Sequence, residues 1–523
     1  MRNLSYVILA VVFAGIFLVS SNVVRAADSG ERKPNIVFIY GDDVGYGDIG
    51  CYGATKVATP NIDRLAKNGL RFTDAHCTSA TCTPSRYGIL TGEYPWRKNG
   101  TGVLPGNAAL IIDPTRTTWP AILRKAGYGT GIVGKWHLGL GTEAHLDWNG
   151  EISPGPLEVG FDEGFFIPAT VDRVPCVFVE NHRVVGLDAK DPIEVRYDAQ
   201  LDDAPEFEPM AKHHPDLMAL KPSVLDKDHF GTIINGIPRI GFMHGGRSSR
   251  WVDEKIEDTL NQKAVEFIER HKDKPFFLYF ATHDIHVPRV PGKQFAGKSE
   301  LGVRGDVIDE LDASTGAILA ALDRLNLTGN TLVIFSSDNG PVIGDGYDDG
   351  AVEHLDGHRA AGAFRGGKYS LLEGGTRVPL IVNWPGHVKA GVSEAMVDQV
   401  DFPASFAAMV GQKLGHDDAP DSLNMLPALL GETQVGRESL VEHAQPKRIA
   451  LREGRWKYIP PTDGLAFLPS TRTETGFSSH EQLYDLSNDP GEKNNLAGQK
   501  ADVVKQLAAK LNRIRDEGAQ SGE

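Results

Sequence analysis

Ile36-Val37-Phe38-Ile39-Tyr40, followed at once by Gly41-Asp42-Asp43, is the stretch on which the fold turns. All five apolar residues are β-branched or aromatic, and none alternates with a polar one. That pattern belongs to a strand buried on both faces of a covered sheet. Gly131-Ile132-Val133, Phe276-Phe277-Leu278-Tyr279-Phe280 and Leu332-Val333-Ile334-Phe335 repeat it. Helical periodicity separates these runs at residues 60–68, 118–126, 251–271 and 306–325. Alternation of buried strands with helices predicts an α/β fold, a large and mostly parallel sheet sandwiched by helices.

The 523 residues exceed one ordinary core, so two domains are expected. Residues 149–247 are dense in Gly, Asp and Pro without periodicity and read as a long insertion over one end of the sheet. After residue 432 the pattern changes. Ile449-Ala450-Leu451-Arg452, a Glu453-Gly454 turn and Arg455-Trp456-Lys457-Tyr458-Ile459 predict a small antiparallel sheet. A final helix follows with Val504, Leu507, Leu511 and Ile514 on one face. The expected organisation is a leader at 1–26, a catalytic domain at 27–432 and a C-terminal α+β subdomain at 433–523.

The leader reading rests on Arg2, the apolar run from Tyr6 to Val19 and the small residue closing Val24-Arg25-Ala26. The apolar run is shorter than the ~20 residues of a spanning helix, which favours cleavage over an anchor and a periplasmic or secreted protein. Four cysteines, Cys51, Cys77, Cys82 and Cys176, are too few for a disulfide scaffold. If Cys82 is consumed by modification, the other three leave open one disulfide with a lone thiol, or three thiols. The formal charge is −15, more negative still without the leader's two arginines. It argues against nucleic acid and anionic membrane surfaces as partners, and no stable membrane insertion is expected after leader cleavage. An anionic substrate would need a local cluster of cations.

In an open parallel sheet, ligand sites form at the carboxyl ends of the strands. Here those ends read Gly41-Asp42-Asp43, Gly134-Lys135-Trp136-His137, Thr282-His283-Asp284-Ile285-His286 and Ser336-Ser337-Asp338-Asn339-Gly340. Asp42, Asp43, Asp338 and Asn339 offer the hard oxygen ligands that calcium takes. Each pair taken alone is also an ordinary loop-forming Asp-Asp or Asp-Asn; together at two strand ends they favour a metal. Lys135 and His137 alternate on an extended segment and would converge on one anionic oxygen, with Trp136 turned to packing. His286 and Lys368, the latter in Gly366-Gly367-Lys368-Tyr369, read either as site residues or as a satisfied histidine and an exposed lysine.

Cys82-Thr83-Pro84-Ser85-Arg86 supplies a nucleophile, because Cys-x-Pro-x-Arg resembles the oxidation motif of type I sulfatases of the alkaline phosphatase superfamily. Tyr87-Gly88-Ile89-Leu90-Thr91-Gly92 continues that pattern, and the resemblance extends from Pro34-Asn35-Ile36 to Leu483-Tyr484-Asp485-Leu486. It implies that a formylglycine-generating, sulfatase-maturing enzyme converts Cys82 to Cα-formylglycine. It further implies that one Ca²⁺ is held by Asp42, Asp43, Asp338, Asn339 and residue 82, and that Arg86 orients the formylglycine. Lys135 and Lys368 would hold sulfate oxygens, His137 would act on the second hydroxyl of the aldehyde hydrate, and His286 would protonate the leaving oxygen. The expected reaction is hydrolysis of a sulfate ester through the formylglycine hydrate and a covalent sulfo-enzyme intermediate.

Leu138-Gly139-Leu140-Gly141 and the segment from Pro168 to Cys176 resemble a branch acting on 6-O-sulfated galactose or N-acetylgalactosamine within sulfated oligosaccharides or polysaccharides. There Asp172 and Arg173 are candidates for sugar hydroxyls, or else a surface ion pair. His244 and Arg247 are weaker candidates. Two other readings compete: a phosphoesterase or phosphonate hydrolase on the same scaffold, and a non-catalytic binder of sulfated glycans. Oxygen ligands suited to one hard cation separate the chain from two-metal phosphatases.

Overall fold

The computed structural model describes residues 33–143, 146–201, 215–223, 225, 228–445 and 447–516. The leader at 1–26 lies outside the described residues. Pro34–Glu523 forms one compact unit.

The four strands expected from their apolar runs are neighbours at the centre of a 10-stranded sheet, in the order Thr331–Ser337, Asn35–Gly41, Phe276–Ala281, Gly129–Lys135. Glu163–Ile167 lies beside the last of them, and all five are parallel. The margins are mixed, antiparallel except that Gly391–Ser393 pairs parallel with Leu70–Phe72. Leu380–Asn383 and then Leu70–Phe72 and Gly391–Ser393 extend one side, while Val179–Glu180 and Arg183–Val184 extend the other. Three of these strands fall within residues 149–247, so the segment read as an insertion in fact completes one side of the sheet. Their shortness and their glycine and charged residues hid them from a periodicity argument.

Side-chain alternation explains the two helical layers. Phe38, Tyr279 and Ile132 lie in register and share one face. There the Phe38 ring meets Trp119 at 5.3 Å and Phe402 at 5.7 Å, from helices Trp119–Lys125 and Phe402–Met409. Thr118 caps the first of these by accepting from the Ala121 amide, and Pro120 occupies a position that needs no intrahelical donor. On the opposite face Gly131 admits the Phe267 ring of helix Ile256–His271; a Cβ at Gly131 would lie 2.2 Å from that ring. Helix Gly302–Arg324 packs beside it.

The C-terminal part is a four-stranded antiparallel sheet, Ser439–Ala444, Arg448–Glu453, Trp456–Ile459 and Gln482–Asp485. Helix Ala501–Asp516 buries Val504, Leu507, Leu511 and Ile514 against it, in one apolar cluster with Tyr94 and Trp96. The sheet supports the segment before Cys82, because the Ala80 amide donates to the His443 carbonyl at 2.8 Å. All four cysteines are free thiols. Among the described residues, no helix is long and apolar enough to cross a membrane.

Candidate active site

The four central strands deliver their terminal residues to one buried cluster. Asp42 and Asp43 follow Asn35–Gly41, and Asp338 and Asn339 follow Thr331–Ser337, which pairs with it along its whole length. All four are fully buried. The Asp43 amide donates to Asp338 Oδ1 at 3.2 Å, and Asn339 Nδ2 donates to Asp43 Oδ1 at 2.7 Å and to the Gly340 carbonyl at 2.9 Å. Asp42 Oδ1 and Asn339 Oδ1 have no hydrogen-bond partner among the described residues.

Three cations face the three carboxylates. Lys135 Nζ lies 2.5 Å from Asp42 Oδ2 and 3.7 Å from Asp338 Oδ2. Lys368 Nζ lies 2.9 Å from Asp43 Oδ2 and 3.1 Å from Asp345 Oδ2. Arg86 Nε donates to Asp338 Oδ2 at 2.9 Å and Nη1 to the Lys135 carbonyl at 3.2 Å, with the guanidinium over the Tyr40 ring. Lys368 is therefore a buried site residue, not an exposed one. Burial and Asp338 still push Asp42 well above the usual carboxylate range, against the pull of Lys135. All-oxygen donors, two of them buried and unpartnered, fit a hard divalent cation.

Cys82 opens helix Cys82–Thr91, every residue of which is buried. Burial raises its thiol pKa despite Lys135 and Lys368, so the unmodified side chain is a thiol and not a thiolate nucleophile. His137, in the left-handed region at φ 56°, places Nε2 3.0 Å from the Leu104 carbonyl. A carbonyl only accepts, so Nε2 carries the proton. Nδ1 has no partner among the described residues and stays bare. Burial, Lys135 and Arg173 hold His137 well below its usual pKa and keep it a neutral base. His286 Nδ1 lies 2.7 Å from the Val287 carbonyl and so carries a proton, while Nε2 faces Asp43 Oδ2 at 3.8 Å. Trp136 packs away from the site with Nε1 donating to Gly139.

Asp172 and Arg173 are not a surface pair. Asp172 is buried, with Arg173 Nη1 at 2.8 Å and His229 Nε2 at 3.2 Å. The charge of Asp172 is felt at His286 and that of Arg173 at His137. Arg247, by contrast, is exposed and paired with Asp191 at 3.1 Å. His244 lies on a two-stranded ribbon with residues 194–196. Sequence reasoning missed Asp345 and His229. Neither carries a local motif, and each reaches the site from a loop far along the chain.

Comparison with known proteins agrees with this geometry. A family model described as Sulfatase matches residues 34–412. The N-acetylgalactosamine-6-O-sulfatase of Bacteroides thetaiotaomicron is 54% identical over 93% of this chain and 94% of its own. Human arylsulfatase A is 32% identical over 92% and 87% of the two chains. A solved structure from a study of glycosaminoglycan metabolism by B. thetaiotaomicron superposes with a TM-score of 0.90 at 53% identity, covering 93% of this chain and all of that one. Ps i-CgsB, solved in complex with k-i-k-neocarrahexaose, reaches 0.65 at 25% identity over 94% of both chains. With its strand-end oxygen cluster, its Cys-x-Pro-x-Arg helix and these matches along most of its length, the chain belongs to the sulfatase family and is a sulfuric ester hydrolase.

Proposed function

We propose that this sulfatase removes 6-O-sulfate from galactose or N-acetylgalactosamine in sulfated oligosaccharides or polysaccharides. The carrying observation is the 54% identity to an N-acetylgalactosamine-6-O-sulfatase over nearly the whole chain. The inward-facing Asp172–Arg173 pair, whose charges are felt at His286 and His137, supports a sugar at that position.

Asp42, Asp43, Asp338, Asn339 and the side chain at 82 would hold one Ca²⁺, which supplies charge stabilisation to a sulfate oxygen. Formylglycine made from Cys82 supplies a geminal diol, one hydroxyl to attack sulfur and a second whose deprotonation returns the aldehyde. Arg86, locked between Asp338 and the Lys135 carbonyl, orients that side chain. Lys135 and Lys368 bind non-bridging sulfate oxygens, and Asp345 holds Lys368 protonated and in place. His137, with Nδ1 bare, would accept a proton from that hydrate. His286 donates from Nε2 to the leaving sugar oxygen. Because Nδ1 already carries a proton, this requires the imidazolium, which the negative sulfate stabilises on binding.

The sequence supports further parts of the proposal: a leader at 1–26 directing a periplasmic or secreted enzyme, a catalytic domain at 27–432 and a subdomain at 433–523, and a maturing enzyme as partner. The test is peptide mass spectrometry around Cys82 with and without a coexpressed sulfatase-maturing enzyme, alongside sulfate release from N-acetylgalactosamine 6-sulfate and galactose 6-sulfate. Conversion to the aldehyde with sulfate release from these sugars is the expected result. An unmodified thiol in active enzyme, or release only from other sulfate positions, overturns the proposal.

A further inference from the structure

Beneath the loop that carries His286, a second group of acidic side chains lies outside the proposed sulfate site. Glu257 comes from the first turn of helix Ile256–His271, His283 and Asp284 from the segment after strand Phe276–Ala281, and Glu310 from helix Gly302–Arg324. All four are buried, Asp284 completely. Some of their polar atoms are spoken for. Glu257 Oε1 accepts the His283 and Asp284 amides at 2.8 and 3.1 Å, and the Glu310 carboxylate accepts the Gly292 amide at 3.2 Å. The rest are not. Both carboxylate oxygens of Asp284, Glu257 Oε2 and His283 Nδ1 have no hydrogen-bond partner among the described residues.

The side chains of Glu257, His283 and Asp284 face one another. His283 Nε2 lies 3.8 Å from Glu257 Oε1 and 3.8 Å from Asp284 Oδ1. One ligand atom from each of Glu257, His283 and Asp284 falls within 4.8 Å of the others, the span that donors at roughly 2.0–2.4 Å from a single ion subtend. Among the described residues no lysine or arginine forms an ion pair with Glu257, Asp284 or Glu310, and the ring of His283 is the one basic group against Glu257 and Asp284. Buried polar atoms left without a partner in this way call for a proton or a metal ion.

We propose that Glu257, His283 and Asp284 form a second divalent-cation site, separate from the Asp42–Asp43–Asp338–Asn339 set. Two carboxylates and an imidazole select a first-row ion such as Mn²⁺ or Zn²⁺ over Ca²⁺, whose ligands are oxygens. The site is structural. The Asp284 carbonyl accepts the Asp42 amide at 2.9 Å and the Ile285 amide donates to the Asp42 carbonyl at 2.8 Å. An ion on Asp284 therefore pins the backbone of Asp42 on one side and of His286 on the other.

The test is anomalous diffraction at the manganese edge from crystals of the full-length enzyme equilibrated with Mn²⁺ alone, with metal content of the same protein measured after desalting. A manganese peak within coordination distance of Glu257, His283 and Asp284 is expected. In the double variant Glu257→Gln, Asp284→Asn, that peak disappears while any peak at Asp42 and Asp43 persists, and bound manganese falls by one ion per chain. No peak at the cluster in the wild-type crystals overturns the proposal, as does an undiminished manganese content in the folded double variant. The wild-type experiment decides even if the variant does not fold. Neither readout depends on sulfatase activity, so failure here is distinguishable from failure of the proposed reaction.

Discussion

Replacing His286 with glutamine separates leaving-group protonation from every other role at the site. The ring is buried, its Nδ1 is committed to the Val287 carbonyl at 2.7 Å, and only Nε2 is available to substrate. A single positioned general acid contributes about 10²–10⁴ in rate, or about 3–5 kcal/mol of barrier. That contribution exists only where the departing oxygen needs a proton. A sugar alkoxide does; a nitrophenolate does not. His286→Gln should therefore lower kcat/KM on N-acetylgalactosamine 6-sulfate by about 10²–10⁴ and on 4-nitrophenyl sulfate by less than about 10-fold. The pH profile gives a second readout. Burial and Lys368 hold His286 well below its usual pKa, so its acid form is lost as pH rises through that lowered value. Wild-type kcat/KM on the sugar ester should decline on that alkaline side, and the decline should be absent in the variant. Steady-state rates on both esters across pH check this. Equal losses on the two esters, with the pH profile unchanged, would refute proton donation and leave His286 a sulfate-binding or metal-supporting group.

Three other outcomes follow from the geometry. Cys82→Ser offers one hydroxyl where the proposed formylglycine hydrate has two, so the variant should retain one sulfate per chain and fail to turn over; intact mass after incubation with substrate reads this directly. Arg173→Met removes a charged hydrogen-bonding partner from the proposed sugar position and should cost about 1.5–3 kcal/mol, roughly 10- to 150-fold in kcat/KM, on the sugar ester and little on 4-nitrophenyl sulfate. His443 is pushed down to about 3 by burial. Its unfolded value is near 6.5, so the neutral ring favours the fold: its contribution is complete above pH ~6.5 and is lost as pH falls toward the folded value. Between pH 7 and 5 this amounts to about 2 kcal/mol. His443→Gln, whose amide can keep the Ser79 hydroxyl at 2.9 Å, should flatten the pH dependence of stability measured by urea unfolding by that amount.

What was legible in the chain follows from which interactions are local. The four central strands announce themselves because burial on both faces demands an unbroken apolar run, and Ile36–Tyr40 and Phe276–Phe280 have no polar member. The residues just past each run then become site candidates by position alone, and Asp42, Asp43, Lys135, His286, Asp338 and Asn339 do meet. The marginal strands, by contrast, are two to five residues long and are held by their neighbours, so no internal pattern marks them. Asp345 and His229 sit in loops with no periodicity, and their meaning appears only when Lys368 and Asp172 arrive beside them. Glu257, in the first turn of a helix, carries no motif, and only the fold sets its carboxylate against the His283 and Asp284 amides. The C-terminal sheet makes the same point. Two of its four strands were readable, but not Ser439–Ala444, nor that the His443 carbonyl would take the Ala80 amide while the Ala80 carbonyl takes that of Tyr369. Ala80 lies two residues before Cys82 and Tyr369 immediately after Lys368. One backbone ladder thus ties the approach to Cys82 and the segment of Lys368 to a strand more than seventy residues further on. The final sheet is accordingly part of the machinery that holds residue 82 in place, although nothing in residues 439–444 alone marks it as such.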